Sequence, residues 1–465
     1  MVRRVLGLLG STAALLATAG AGTLAAAPAA PAVSVGPVPL ARMVSHVSFP
    51  TPPTTGQCEH FLKIACYSPL QFQTAYDMKP LYRKGDDGSG QTIVIVDSYG
   101  YQNIRGELRV FDKSFGLPAP PSFKIIQPAG AVPPYDPSKR PAMFGWAIET
   151  SLDVEYAHSM APGANIVLVE TPVAETLGVH GFPQIVEAEN YVIDHHLGNV
   201  ITQSFGAPEK GFHSAAAIMK LRSAYVNASN NGVTMLTGSG DAGSTGPNGL
   251  DSSGFADSFF LSRTVAWPAS DPLGTAVGGT QLHLNNRGLR LQPDTVWNDT
   301  NLEFSPAASG GGRSTMFGRP SYQDSVSGSV GTQRGVPDIS MSAAVDGSAL
   351  VYLDEQVGAG PAGFYLVGGT SEASPLFAGV VAIADQVAGR GLGVLNPYLY
   401  QMSGAHDPGI LDVTGGTNTV TFPQGPNVHT VKGFDAANGY DMASGVGTID
   451  GARFVPDLVA VANSQ

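Results

Sequence analysis

Val367-Gly-Gly-Thr-Ser-Glu-Ala-Ser-Pro-Leu-Phe-Ala-Gly-Val-Val-Ala-Ile-Ala384 reads as the end of a strand (Phe364 to Val367), a glycine turn, and a helix that is small and apolar on every side. A helix without a polar face belongs in a protein interior. Pro375 is expected in its first turn, where a missing N–H does no harm. Gly368 and Gly369 allow a sharp turn and close approach of a ligand to the backbone. Ser371 then sits at the helix mouth, where free N–H groups and the helix dipole favour developing negative charge. A serine so placed is either a nucleophile or an N-cap on a core helix. A nucleophilic hydroxyl needs a base.

Working outward, strand and helix signals alternate. Gln91 to Asp97 reads as a buried parallel strand, Asn103 to Phe115 as a helix and Phe123 to Ile126 as a short strand. Met143 to Met160 is a helix stopped by Ala161-Pro-Gly163. Strands follow at Asn165 to Glu170, Asn199 to Thr202 and Gly232 to Leu236, with helices at Pro183 to Leu197 and Ser214 to Val226. That alternation predicts an α/β fold with a parallel sheet. A further helix is expected from Pro69 to Tyr82. The Gly- and Ser-rich stretch 238–361, with short strands at Gly274 to Thr280 and Leu350 to Leu353, should supply loops around a cleft. The tail from Leu395 is turn-rich and expected to pack on the same domain.

The chain of 465 residues carries a net charge of −12, which argues against a nucleic-acid-binding surface. Charged residues are only 13%, beside 58 Gly and 35 Pro, as suits a loop-rich globular protein. Residues 1–32 read as a secretory signal: Arg3-Arg4, an apolar run from Val5 to Ala19, then small residues. No later segment is long and apolar enough to span a bilayer. Residues 33–57 are expected to be an extended lead-in, too short for a folded prosegment, ahead of a catalytic body over 58–465. Cys58 and Cys66, the only 2 cysteines, are most simply a disulfide in an exported protein.

Glu149 and Asp153 lie at i and i+4 on one face of the 143–160 helix, whereas Glu155 points away. Trp146, Ile148, Leu152 and Val154 around them are apolar, so the pair should be buried. At least one of the two pKa values should rise through desolvation and like-charge repulsion. A raised carboxylate can act as a general base where histidine is already protonated; the plainer reading is a solvated acidic stripe. Asp241, in Gly238-Ser-Gly-Asp241, follows a buried strand, where ligands bind in parallel sheets. Protonated, it can donate to an oxyanion; otherwise it is an ordinary turn residue.

None of the 10 histidines is followed by Gly-Thr, the setting of the base in subtilisins. The ordered set of motifs resembles instead the sedolisins, or serine-carboxyl peptidases. It runs from Ser68-Pro-Leu-Gln-Phe-Gln-Thr-Ala-Tyr76 through Glu149-x-x-x-Asp153-x-x-Tyr156, Ala161-Pro-Gly-Ala164, Gly238-Ser-Gly-Asp241, Pro268-Ala-Ser270 and Val277-Gly-Gly-Thr280. Trp297-Asn298, Ser309-Gly-Gly311, Arg334-Gly-Val-Pro-Asp338 and Gly369-Thr-Ser371 complete it. The resemblance implies a subtilisin-like parallel sheet flanked by helices on both faces, with a C-terminal calcium-binding loop region. It also implies an acid-active secreted peptidase: Ser371 as nucleophile, Glu149 as base, Asp153 holding Glu149, and protonated Asp241 in the oxyanion hole. Asp97 would be structural. The same resemblance implies one structural calcium ion held by the side chains of Asp412 and Asp441 and the carbonyls of Val413, Ala437 and Gly439. Peptide or protein substrates are the expected partners, with no nucleic acid, no membrane after signal removal, and a monomer. A different class of reading is a calcium-stabilised secreted binding protein on the same fold without turnover. A glycosidase built on Glu149 and Asp153 fails, because adjacent helical turns do not straddle a sugar.

Overall fold

Strand β1 (Thr92–Ser98) alternates strictly: Ile93 and Ile95 enter one apolar core, Val94 and Val96 the other. Side chains on a strand point alternately to opposite faces, so a strand apolar at both parities must be covered on both. The computed structural model describes residues 37–44, 46–172, 181–251 and 255–464. The secretory signal expected over 1–32 and the start of the lead-in lie outside the described residues.

The elements that position the site follow in chain order. After β1 come α1 (Ile104–Phe115), β2 (Phe123–Ile126), α2 (Ala142–Met160), β3 (Asn165–Thr171), α3 (Phe182–Asp194) and β4 (Val200–Gln203). Next are α4 (Ser223–Asn230), β5 (Thr234–Gly238), β6 (Thr275–Gln281), β7 (Thr295–Val296) and β8 (Ile339–Ser342). A hairpin of β9 (Ser348–Leu353) and β10 (Gly363–Gly368) leads into α5 (Thr370–Ala388), and α6 (Gly451–Ala462) closes the chain.

The main sheet runs β2-β3-β1-β4-β5-β6-β8 in parallel, with β7 antiparallel on β6. Strands 2 and 3 lie on one side of β1 and strands 4, 5 and 6 on the other. The order therefore reverses at β1, and the crevice beyond its carboxyl end is where doubly wound sheets bind ligands. One core holds α2 and α5, the other α3 and α4. Gly379 lets the first pair pack closely, since a Cβ there would come 2.5 Å from Met160 Cβ.

The expected α/β sheet is present, with several local differences. Pro375 lies inside α5 rather than in its first turn. It removes the N–H that would bond to the Ser371 carbonyl, which the Ser204 hydroxyl approaches at 3.5 Å instead. The helix expected from Pro69 to Tyr82 is two, Pro69–Ala75 and Lys79–Tyr82, interrupted where Asp77 takes φ 50°. That over Ser214 to Val226 is likewise divided at Arg222. Cys58 and Cys66 form a disulfide tying helix Thr55–Leu62 to strand Cys66–Tyr67, which pairs in parallel with β9. Among the described residues no helix is long and apolar enough to cross a membrane.

Candidate active site

Helix α2 is buried along nearly its whole length, and it carries Glu149, Asp153 and Glu155, all with no exposed surface. As the helical spacing predicts, Glu155 faces elsewhere and accepts the Tyr352 N–H at 3.1 Å. Glu149 and Asp153 face the switch point, where Asp97, the last residue but one of β1, is also fully buried.

Burial, then the Asp97 charge, raises the Glu149 pKa well above the usual carboxylate range; the Ser371 hydroxyl and the Ala41 N–H, both hydrogen-bonded to Glu149, oppose the rise. Asp153 is likewise raised, by burial and then by Glu149 and Asp97, against a 2.7 Å hydrogen bond from the Ser204 hydroxyl. Asp97 is pushed up to about 7, chiefly by burial. Three carboxyls that repel one another in a dry site share protons, so they titrate as a cluster rather than one by one. The Ser371 hydroxyl, fully buried, also stands 3.4 Å from the Ser204 carbonyl oxygen.

Asp241 approaches from the far side of the helix mouth. Its Oδ1 accepts both the Thr370 N–H and the Thr370 hydroxyl, each at 2.8 Å. Its Oδ2 faces Arg42 Nε at 3.4 Å and, among the described residues, accepts no other hydrogen bond. Burial pushes this carboxyl up to about 6, and the Arg42 charge pulls it back toward the ionised form. With Oδ1 committed as an acceptor, the proton of the neutral acid belongs on Oδ2. A Cβ at Gly369 would collide with the Leu40 carbonyl oxygen and fall 2.5 Å from Asp241 Oδ2. The carboxyl and that carbonyl therefore face the same small volume, and φ 107° at Gly369 leaves it free of a side chain.

The fourth wall is the chain's own N-terminal segment. Val38–Pro39 pairs antiparallel with Phe205 and Gly206, and Arg42–Met43 pairs antiparallel with Val367 and Gly368. Between the two short strands, Leu40 N–H donates to the Ser204 carbonyl at 3.1 Å and Ala41 N–H to Glu149 Oε2 at 2.7 Å. Arg42 also donates to the Pro306 carbonyl at 2.5 Å.

The residues expected to hold calcium converge on one loop. Asp412 Oδ2 accepts the Gly439 N–H at 2.9 Å, and Asp441 Oδ2 accepts the Ala437 N–H at 3.0 Å. Gly439 takes φ 75°, and Val413 is buried beside Ala443. Carboxylates are hard-oxygen donors of the type calcium takes; here both accept backbone N–H groups of the loop, and Asp441 Oδ1 also accepts those of Ala443 and Ser444. Among the described residues there is no group of three or more His, Cys, Asp or Glu that could hold a metal, so such a site would lean on carbonyls and water.

No family model matches the chain. Kumamolisin from Bacillus sp. (strain MN-32) is 30% identical over 406 residues, covering 85% of this chain and 64% of the relative. Sedolisin from Pseudomonas sp. (strain 101) is 27% identical over 83% of this chain and 60% of the relative. The solved structure of Pseudomonas sedolisin, a serine-carboxyl proteinase complexed with pseudo-iodotyrostatin, superimposes with TM-score 0.68 at 27% identity, covering 86% of this chain and 99% of that one. The chain belongs to the sedolisin family. It spans less than two thirds of the length of those two curated sedolisin-family relatives.

Of the residues singled out from the sequence, Ser371, Glu149, Asp153 and Asp241 share this sedolisin-fold crevice. Four neighbours escaped the sequence reading. Asp97 stood out but only as structural; its repulsion of Glu149 depends on a strand end meeting a helix face. Ser204 carries no local signature beyond a strand end, and Thr370 lies inside the Gly369-Thr-Ser371 motif, where nothing local announces its bond to Asp241. Arg42 lies in a stretch whose composition suggests only an extended lead-in, and nothing nearby announces its pairing with Asp241.

Proposed function

We propose that the chain is a secreted, acid-active serine-carboxyl peptidase that hydrolyses peptide bonds through an acyl-enzyme. The observation that carries this reading is the Ser371 hydroxyl held between the Glu149 carboxyl and the Ser204 carbonyl, with Asp241 across the same small volume. Ser371 Oγ attacks the substrate carbonyl carbon while Glu149 takes its proton, and Asp153 with Asp97 keeps Glu149 basic enough at acid pH to do so. Protonated Asp241 donates Oδ2–H to the oxyanion, a contact of the kind worth about 3–4 kcal/mol in the transition state. Glu149 then returns the proton to the leaving amine, and water releases the acyl group.

The test is cleavage of an unstructured protein at about pH 4, a carboxylate-range pH. Wild type should cut, Ser371→Ala should not, and Glu149→Gln should lose most of the rate. Equal cleavage by wild type and Ser371→Ala would exclude Ser371 as nucleophile.

The loop of Asp412, Val413, Ala437, Gly439 and Asp441 would hold one structural calcium ion, supplying charge neutralisation that staples the tail rather than any catalytic step. Chelator should then lower the melting temperature and calcium restore it; an unchanged melting curve would remove the ion from the account. A binding protein without turnover is the competing reading, and what favours it is the chain's own segment filling the cleft.

A further inference from the structure

A second cavity lies at the carboxyl end of the sheet, one strand out from the reacting carboxyls. Register pairs Glu170 of β3 with Asp97 of β1, so the two side chains leave the sheet on the same face. Asp97 joins the Glu149 cluster, whereas Glu170 is the only carboxyl lining a separate cavity of about 140 Å3. Tyr99, Val132, Pro133, Pro134, Tyr135 and Met143 wall it, and no catalytic residue does. The backbone is shaped around the acid. Tyr99 and Gly100 take φ 59° and 62°, and a Cβ on Gly100 would collide with Glu170 Oε1. Only glycine fits against the carboxyl there.

Glu170 is 6% exposed and half satisfied. Its Oε2 accepts the Gln127 amide at 2.7 Å, and Gln127 is held in turn by the Val132 N–H at 3.1 Å. Among the described residues nothing donates to Oε1, and no Lys, Arg or His pairs with this acid. The nearby cations are engaged elsewhere: Lys139 with Asp136 at 2.6 Å, and Arg105 over the Phe123 ring. A carboxylate so nearly buried is costly without a cation.

The cavity suits a cation on an aliphatic stem. Its apolar walls can cover methylenes, and Tyr99 and Tyr135 are residues of the type that attracts a cation. Tyr135 is already fixed, its hydroxyl donating to the Val357 carbonyl at 2.8 Å and its ring edge-on to Tyr101 at 5.2 Å. The single open oxygen decides between cations. A guanidinium is best met by two oxygens side by side, an ammonium by one. The volume is well below the roughly 300–1,000 Å3 of small-molecule sites, so it holds one chain rather than a ring system.

We propose that this cavity binds a primary alkylammonium group, with Glu170 Oε1 accepting its charge-assisted hydrogen bond and the walls covering its methylenes. That chemistry belongs to a lysine side chain of a bound peptide or to a free primary amine. The site stands apart from the peptidase reading, because none of its lining takes part in that reaction.

The full chain carrying Ser371→Ala, so that nothing is digested, is titrated with n-butylammonium at about pH 8, above the ordinary carboxylate range. Saturable one-to-one binding should appear by calorimetry. Glu170→Gln should weaken it by about tenfold or more, as for loss of a charged hydrogen-bond partner, and 1-butanol should not compete. Val132→Trp, which fills the cavity and keeps the carboxylate, should abolish binding. Thermal transitions show that both variants are folded. Absence of saturable binding, equal affinity in Glu170→Gln, or tighter binding of n-propylguanidinium overturns the proposal. Peptides then distinguish the source. Displacement of the amine by a lysine peptide, lost when norleucine replaces that lysine, assigns the site to a peptide side chain. Binding of the amine with no such displacement assigns it to a small amine, and either result supports the site. Digestion of an unstructured protein by wild type is scored separately. Cutting without amine binding overturns this proposal alone, and amine binding without cutting overturns the peptidase reading alone.

Discussion

Asp241 carries two opposed influences on one carboxyl. Burial raises its pKa and Arg42 lowers it, with Glu149 and Glu303 as the other acids near the pair. A donor on Oδ2 exists only while the acid is neutral, so cleavage should fade as pH rises through about 6. Arg42→Ala removes the group that favours ionisation. The alkaline limb of kcat/KM should therefore move upward in pH; a limb that stays or moves down would show that Arg42 does not act on the oxyanion donor. At this scale the sequence discloses the residues with local signatures: Ser371 after two glycines, Glu149 and Asp153 at helical spacing, Asp241 after a buried strand. It hides the roles of Arg42, Asp97 and Ser204, which come from partners distant in the chain; Arg42 lies 199 residues from Asp241. For Ser204 the separation from Ser371 is 167, and no window of local pattern reaches that far.

Helices α2 and α5 act as two rods that bring the base and the nucleophile together. Their closeness depends on Gly379 beside Met160. Gly379→Leu cannot fit without separating the rods, and overpacking of this kind costs about 1–3 kcal/mol. A lower melting temperature together with a fall in kcat larger than the change in KM is expected; full activity at lowered stability would mean the rods do not set the geometry. Both rods were visible in the sequence because each is long and bounded by its own turn signals. Shorter elements were not. The Pro69 to Tyr82 periodicity hides a break at Asp77, and stretch 238–361 hides the hairpin Pro247–Leu250 with Ala256–Phe259. Helix α6 forms despite Pro456 in its interior, because Phe454 and its neighbours bury against α5. Tertiary packing decides those cases, and a single-sequence pattern does not contain it.

Across the described residues burial outweighs any neighbouring cation at several carboxyls, even at Asp241 beside Arg42 and Asp385 beside Arg390. Burial pushes Glu107, Glu189 and Asp385 up to about 8, Asp97 to about 7 and Asp241 to about 6. In the unfolded chain these groups ionise near 4. Between those values the folded state holds protons that the unfolded chain has released, so stability must fall as pH rises. It is fully present below about pH 4 and lost progressively up to about 8. The melting temperature should therefore be higher at pH 4 than at pH 8; the reverse order would mean these acids are ionised in the folded protein.

The pH dependence of kcat/KM for an added peptide bears most directly on serine chemistry run by carboxyls. The account predicts a maximum on the acid side, decline through about pH 6, and no activity at any pH in Ser371→Ala. A rate that climbs from pH 5 to a plateau near 8, as an imidazole base would give, would contradict it.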